Sequence, residues 1–379
     1  MSETPILDLQ CDPPRLHYNW KPILAGTLIG LALMRFVSLD SRWWFPALYL
    51  SIAVHEVGHL VAAKLVGMEA GGIVVGGLMI FKSGDHWLWR FDFRRILSGG
   101  LAKPLLKKGQ LHLYQNVWMV AGGPLATLLL AAVCFLALQN SSRPSPWLST
   151  LWWINLFLFA STFIPAGGLN KSDIPRLWQL LRNPEESRSW AALLQVQSEE
   201  TAGVLPRDWD AELVALMLQP QGDNPYRQML AFYRRMNEGR EADALQHLER
   251  ALSTSGKYGR PIRHWCFLEA ACCSALLRGN PAGARIWLDR AIRLRKPLSR
   301  YSVDAAIAQS EGRYQDAIEL WDASLAYVVK KRFDSGLTRF AQANIVEYRR
   351  QCQEALQTGR GTPPHRLGPS EPSSAILTS

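Results

Sequence analysis

The chain has 379 residues, enough for more than one domain, and carries a formal net charge of +10 at pH 7. No RNA- or DNA-binding motif accompanies this charge, so we expect no nucleic-acid partner. Apolar runs alternate with basic loops up to about residue 170, which predicts a membrane protein that meets anionic lipid. The 6 cysteines form no C-x-x-C pair and no zinc-finger pattern, so we expect reduced thiols.

Four apolar runs approach or exceed the ~20 residues that a helix needs to cross a bilayer. They lie at about 22–39, 43–67, 115–138 and 147–165. The first run lacks a signal-peptidase exit site, so we expect it to remain as an anchor. Tryptophans typical of the membrane interface stand near the ends of the others, at Trp43, Trp44, Trp147, Trp152 and Trp153.

Basic residues are concentrated between the second and third runs and after the fourth. The positive-inside rule therefore predicts a cytoplasmic N-terminus, a cytoplasmic 68–114 segment and a cytoplasmic C-terminal half. We expect a multi-pass protein of a bacterial inner membrane. The basic residues are Lys82, Arg90, Arg94, Arg95, Lys103, Lys107, Lys108, Lys171, Arg176 and Arg182.

The second run contains His55, Glu56 and His59 in an H-E-x-x-H box. Residues four apart lie on one face of a helix, so both imidazoles can bind one zinc ion and Glu56 can reach its water. A structural His–Glu pair is the alternative, but ionisable residues in a spanning helix are costly and usually functional. The box predicts hydrolysis at a zinc ion within or near the membrane, open towards the cytoplasm.

The segment after the box is rich in glycine, and 71–81 reads as short extended strands or a re-entrant hairpin. Such backbone is tolerated at membrane depth only where protein or water covers it. An extended edge beside a zinc site could pair with an unwound substrate strand. A loop that rests on the membrane surface is the alternative.

A catalytic zinc site has three protein ligands and one open position. Asp173, which follows the fourth run, is the best candidate for the third ligand. It could instead be the N-cap of a helix that starts near Ile174 and Pro175, because proline fits the first helical turn. The residues alone favour the N-cap.

Three motifs together resemble the site-2 protease family of intramembrane zinc metalloproteases over roughly residues 43–182. They are the box, the stretch Ala121-Gly122-Gly123-Pro124-Leu125-Ala126-Thr127, and an Ile164-Pro165 to Ser172-Asp173 stretch. The resemblance implies Zn²⁺ bound by His55, His59 and Asp173, with Glu56 as general base. It also implies cleavage of a membrane protein substrate in its transmembrane segment, with substrate contacts at Gly122, Gly123, Pro124 and Thr127.

Three positions depart from the family's pattern. Thr127 and Thr162 stand where the family commonly has Asn, and Ile174 stands where Gly usually follows the Asp. Because those Asn residues bind or orient the substrate backbone, the departures affect substrate handling more than zinc binding. The 68–114 segment is also too short for an inserted PDZ domain.

The C-terminal half repeats a pattern of small residues. Gly239, Gly279 and Gly312 are each followed by small residues after 5 and 12 positions, namely Ala244 and Ala251, Ala284 and Ala291, and Ala317 and Ser324. This pattern resembles degenerate tetratricopeptide (TPR) repeats, which predicts a protein partner. An unrelated helical bundle is the alternative.

The predicted fold is mainly α: a polytopic membrane helical core of about four spans with a short β-like or re-entrant loop, followed by a soluble α-helical repeat domain. The predicted function is an intramembrane zinc metalloprotease. The alternative is a catalytically inactive protease-like membrane scaffold that acts through its repeats, whereas a transporter would need more spans and an internal membrane repeat. We expect an N-terminal cytoplasmic segment (1–21), a metalloprotease core (22–182), a linker (183–225), a TPR-like domain (226–358) and a disordered tail (359–379).

Overall fold

The computed structural model describes residues 41–84, 86–93, 96, 99–106, 112–143, 145–164, 172–219, 224–294, 300–330 and 334–359. These residues form two compact units. One contains 41–201 and 212–219, and the other contains 202–211 and 224–359. The predicted first span and the C-terminal tail beyond 359 lie outside the described residues.

Two long helices form the centre of the first unit. Helix α1 spans Ser41–Leu65 and helix α2 spans Leu113–Gln139, and both are long and apolar enough to cross a membrane. Helix α3, Pro146–Ser161, is apolar too, but its 16 residues fall short of a straight span of about 20. Because only two of the described helices qualify, the total of about four spans stays a prediction.

A small antiparallel sheet follows α1. Its strands are β1 (Glu69–Val75), β2 (Leu78–Ser83), β3 (His86–Phe91) and β4 (Gly100–Leu105), in the order β3-β2-β1-β4. Gly76 closes the β1–β2 hairpin with a φ of 55°, a conformation that favours glycine. The extended strands predicted around 71–81 are therefore confirmed, and β4 lies at an edge of the sheet.

Two apolar clusters hold α1 against its neighbours on either side of His55 and His59. The first joins Ala47 of α1 to Cys134 of α2 and to Leu151 and Ile154 of α3. The second brings α1 and α2 together with helix α4 (Asp173–Arg182) and helix α5 (Pro184–Thr201), through Ala63, Met119, Val120, Leu180 and Leu194. Burial of Leu180 therefore fixes α4 beside the two long helices.

A short helix, α6 (Ala211–Met217), packs on α5, where the Ser189 hydroxyl donates to the Met217 carbonyl at 3.0 Å. The segment 183–225, expected to be a linker, thus contains part of the first unit's packed structure. The predicted domain boundaries stay predictions.

The second unit consists of helical hairpins. Helices α7 (Pro225–Asn237) and α8 (Glu241–Thr254), α9 (Arg260–Leu276) and α10 (Pro281–Leu294), and α11 (Tyr301–Ser310) and α12 (Tyr314–Lys330) pair in turn, and α13 (Gly336–Thr358) follows. Gly239, Gly279 and Gly312 form the three intra-hairpin turns with φ of 74°, 59° and 76°. The small residues predicted at helix crossings are buried, while the TPR-like interpretation stays a prediction.

Candidate metal centre

Helix α1 presents His55, Glu56 and His59 to the interior of the first unit, each with about 7% exposure. The two imidazoles lie on one face of the helix, one turn apart, and their Nε2 atoms are 3.3 Å from each other. Three ionisable side chains buried in an apolar helix carry a large desolvation cost unless they have partners. Each of these side chains has polar partners that offset part of this cost.

Each histidine binds an acceptor on α2 through its Nδ1 atom. His55 Nδ1 lies 2.8 Å from the Thr127 hydroxyl, which donates its own hydrogen to the Gly123 carbonyl at 3.0 Å. His59 Nδ1 lies 2.8 Å from the Met119 carbonyl, which can only accept. The shorter contacts with these acceptors indicate that both Nδ1 atoms carry the proton, in preference to the longer 3.3 Å approach of the Gly123 amide to His59 Nδ1. Both Nε2 atoms then have a free lone pair.

Asp173 joins the two histidines from the first turn of α4. Its carboxylate oxygens lie 3.0 Å from His55 Nε2 and 3.6 Å from His59 Nε2. The N-cap alternative is wrong, because Ser172 holds the N-cap position and the Asp173 side chain turns to the histidines.

The backbone between α3 and α4 fixes the position of Asp173. The Ile174 amide donates to the Thr162 carbonyl at 3.2 Å, and the Ser172 hydroxyl donates to the Ile164 carbonyl. Thr162 and Ile174 are two of the positions that depart from the site-2 protease pattern. In this chain they join the end of α3 to the start of α4.

The three side chains fit a zinc ion. Their ligand atoms all lie within 4.8 Å of one another, and the closest pairs are 3.0, 3.3 and 3.6 Å apart. Ligand atoms about 2.0–2.1 Å from a tetrahedral zinc ion stand roughly 3.3 Å apart. Two lone pairs and a carboxylate that face each other without intervening hydrogens also repel, and a cation removes that repulsion. Two His and one carboxylate form a donor set used for catalytic zinc.

Glu56 lies against strand β4 instead of joining the three ligand side chains. The Ala102 amide donates a hydrogen bond to the Glu56 carboxylate. A side chain on Gly100 would place its Cβ 2.1 Å from Glu56 Oε1, so the glutamate could keep this position only beside a glycine and would otherwise have to move. Sequence reasoning missed Gly100 and Ala102, because nothing along the chain indicates which strand covers the box.

The four residues predicted to bind substrate lie on α2, where Gly123 and Thr127 contact the two histidines. A Cβ on Gly122 would stand 2.4 Å from the Gly58 carbonyl, and one on Gly123 would stand 2.3 Å from His59 Nε2. Gly122 thus permits the close crossing of α1 and α2, and Gly123 leaves room for His59. Thr127 orients His55, a contact that sequence reasoning missed. Substrate binding by Gly122, Gly123, Pro124 and Thr127 stays a prediction.

Comparisons with curated proteins and with solved structures returned no match. The comparison with protein families matched residues 44–352 to peptidase family M50. The matched region begins in α1 before the H-E-x-x-H box and extends into α13, so it includes both the box and Asp173. The match supports the resemblance to the site-2 proteases, which are membrane-embedded. The chain therefore belongs to peptidase family M50.

Proposed function

We propose that this protein is an intramembrane zinc metalloprotease that hydrolyses a peptide bond in or near the transmembrane segment of a membrane protein substrate. One observation carries the proposal: the ligand atoms of His55, His59 and Asp173 come together beside α1, a helix long and apolar enough to cross a membrane. The membership of the chain in peptidase family M50 agrees with it. His55, His59 and Asp173 would bind the zinc ion.

A zinc ion in this position supplies a Lewis acid that polarises a carbonyl group and lowers the pKa of water. Glu56 acts as the general base that takes a proton from the attacking water and passes it to the leaving amine. Thr127 and the Met119 carbonyl hold the two imidazoles in the tautomer that leaves Nε2 free. The buried setting strengthens each of these electrostatic interactions.

The edge strand β4 is suited to bind an unwound stretch of substrate. A substrate helix must unfold locally before its peptide bonds become accessible, and an extended chain can then add to the edge of a sheet. The contact between Ala102 and Glu56 supports this role, because it brings the strand edge to the general base. Gly122, Gly123, Pro124 and Thr127 would then contribute to the opposite wall of the substrate channel.

We also propose that the sheet lies at the membrane interface. Along β3 and beyond it, alternate residues are exposed aromatic side chains: Trp87, Trp89, Phe91 and Phe93 with 52%, 77%, 45% and 77% exposure. Such a face suits the lipid–water boundary, where amphipathic aromatic rings concentrate. Basic residues in the same segment support a cytoplasmic location for it. A multi-pass protein of a bacterial inner membrane with both termini in the cytoplasm is part of the same proposal.

The helical hairpins of the second unit would form a TPR-like domain that binds a protein partner. The three left-handed glycine turns and the buried small residues after them support the repeat interpretation. A catalytically inactive scaffold that works through this domain is the second candidate function. The departures at Thr127, Thr162 and Ile174 favour it, whereas the complete His55–His59–Asp173 group opposes it.

A Glu56→Gln substitution tests the proposed function. Gln keeps the size of Glu but cannot accept the proton, so we expect cleavage to fall by about 10²–10⁴ while metal content stays the same. New N-termini within transmembrane segments would be mapped by mass spectrometry in membranes of cells that produce each variant. Glu185→Gln, which changes an exposed glutamate, is the matched control and should cleave like the wild type. Identical termini with Glu56→Gln, or none with the wild type, would favour the scaffold.

A further inference from the structure

The second unit contains a cavity of about 360 Å³ that the proposed proteolysis does not use. Helices α7, α9, α12 and α13 contribute most of its wall, which is rich in aromatic and aliphatic side chains. The volume is near the lower end of the range for ligand pockets, about 300–1,000 Å³. The cavity therefore suits a small molecule better than a peptide.

Glu269 is the only charged side chain among the described residues that line this cavity. None of the ion pairs found within the described ranges includes Glu269. The cavity that it lines has aromatic walls, which include Phe232, Trp265, Phe340 and Tyr348. A carboxylate in an apolar cavity without a cation is costly, and a ligand that brings a positive charge would offset the cost.

The hydrogen bonds around Glu269 run in one direction. The Trp265 indole can only donate, and it donates to the Tyr233 hydroxyl at 2.8 Å. Tyr233 in turn donates its own hydrogen to Glu269 Oε1, which lies 2.5 Å away. These donors stabilise the ionised carboxylate and partly offset the burial that raises the pKa of Glu269.

Aromatic rings line the cavity near the same carboxylate. The rings of Tyr233 and Trp265 are stacked with centroids 5.6 Å apart, and Phe340 meets Tyr233 edge-on at 6.2 Å. The negative faces of aromatic rings attract organic cations, most strongly where water is excluded. A carboxylate beside several aromatic rings is the chemistry that recognises an ammonium group with an apolar body.

We propose that this cavity binds a small organic ammonium ion, with the ammonium group on Glu269 and the apolar body against the aromatic wall. Burial raises the pKa of Glu269 in the cavity without a ligand, and a bound cation would lower it again. The proposal is independent of the metal centre, so either can fail without the other.

Phenethylammonium and 2-phenylethanol form a matched pair of probes, because they share an apolar body and differ in charge. Their binding to the full-length protein in detergent would be measured by isothermal titration calorimetry, with empty micelles as the blank. We expect the ammonium probe to bind about tenfold more tightly than the alcohol, or better. Equal affinity for both probes, or no binding of the ammonium probe at millimolar concentration, would overturn the proposal.

Glu269→Gln should remove the preference for the ammonium probe, because the amide still accepts from Tyr233 but carries no charge. Glu319→Gln, at an exposed position of α12, is the control for loss of a charge and should bind like the wild type. Ala341→Phe fills the cavity and leaves Glu269 intact, so it should weaken both probes. An unchanged preference in Glu269→Gln, with binding unaffected by Ala341→Phe, would assign the probes to another site.

Discussion

Each of the two units buries a carboxylate among apolar helices, but the neighbouring hydrogen-bond donors point in different directions in the two sites. In the metal centre the Nδ1 hydrogens of His55 and His59 point away, to Thr127 and Met119, and acceptor atoms face one another. In the cavity of the second unit, Tyr233 points a hydrogen at Glu269. Acceptor atoms that face one another repel, so the first arrangement favours a permanently bound cation. A carboxylate that already accepts a hydrogen bond is partly stabilised, so the second arrangement favours a ligand that binds reversibly.

Removal of the Asp173 carboxylate should have the largest effect on the metal centre. Asp173→Ala leaves two neutral imidazoles, so we expect metal affinity to fall by more than about 100-fold. Metal content would be measured on purified protein after dialysis against a graded chelator. Glu185→Ala removes an acid from the first turn of another helix and should retain metal. Full metal content in Asp173→Ala would mean that the facing acceptors do not form the metal site.

A methyl group on β4 should separate catalysis from metal binding. Gly100→Ala collides with Glu56 Oε1, so we expect cleavage to fall by about 100-fold with metal content unchanged. Gly99→Ala is the matched control, because a Cβ at Gly99 meets nothing within 4 Å among the described residues. Equal cleavage by the two variants would show that Glu56 and β4 are not held together during the reaction.

Loss of the hydrogen bond from His55 to Thr127 should have a smaller effect on metal affinity. Thr127→Val keeps the shape and removes the acceptor for Nδ1, so we expect metal affinity to fall by about tenfold. Thr150→Val removes a buried hydroxyl that bonds only within α3 and should keep wild-type affinity. Comparing this variant with Asp173→Ala shows whether losing a ligand lowers metal affinity more than losing the contact that orients one.

The second unit should show the smallest effect, a pH-dependent change in local stability. Burial, together with Arg250 and Arg235, lowers the pKa of His247 to about 4, against roughly 6.5 in an unfolded chain. The unfolded state binds more protons between these values, so the stabilisation is complete above about pH 6.5 and is lost as the pH falls towards 4. Exchange-rate-corrected hydrogen exchange of α8 peptides should therefore be faster at about pH 5 than at about pH 7.5. His247→Gln should abolish this difference, and its persistence would contradict the assignment.

Local patterns predicted the elements well. The i, i+4 spacing of His55 and His59 requires only a helix, and the apolar length of the runs predicted α1 and α2. The glycine-rich 71–81 segment predicted strands, and Gly239, Gly279 and Gly312 predicted turns. Each of these inferences depends on residues that are close along the chain, where backbone sterics and helical periodicity decide the outcome.

The sequence alone identified the two histidines, the glutamate between them and the membrane character of the helix that carries them. For Asp173 the residues alone favoured an N-cap, and the resemblance to the site-2 proteases implied a metal ligand. Tertiary packing placed the Asp173 carboxylate against His55, 118 residues away, since burial of Leu180 brings α4 against α1. The contacts of Thr127, Gly100 and Glu269 were decided in the same way. These contacts join residues that are far apart in the chain. They are stabilised by tertiary packing and by the cost of leaving polar groups buried without partners, and a short sequence pattern contains no information about either.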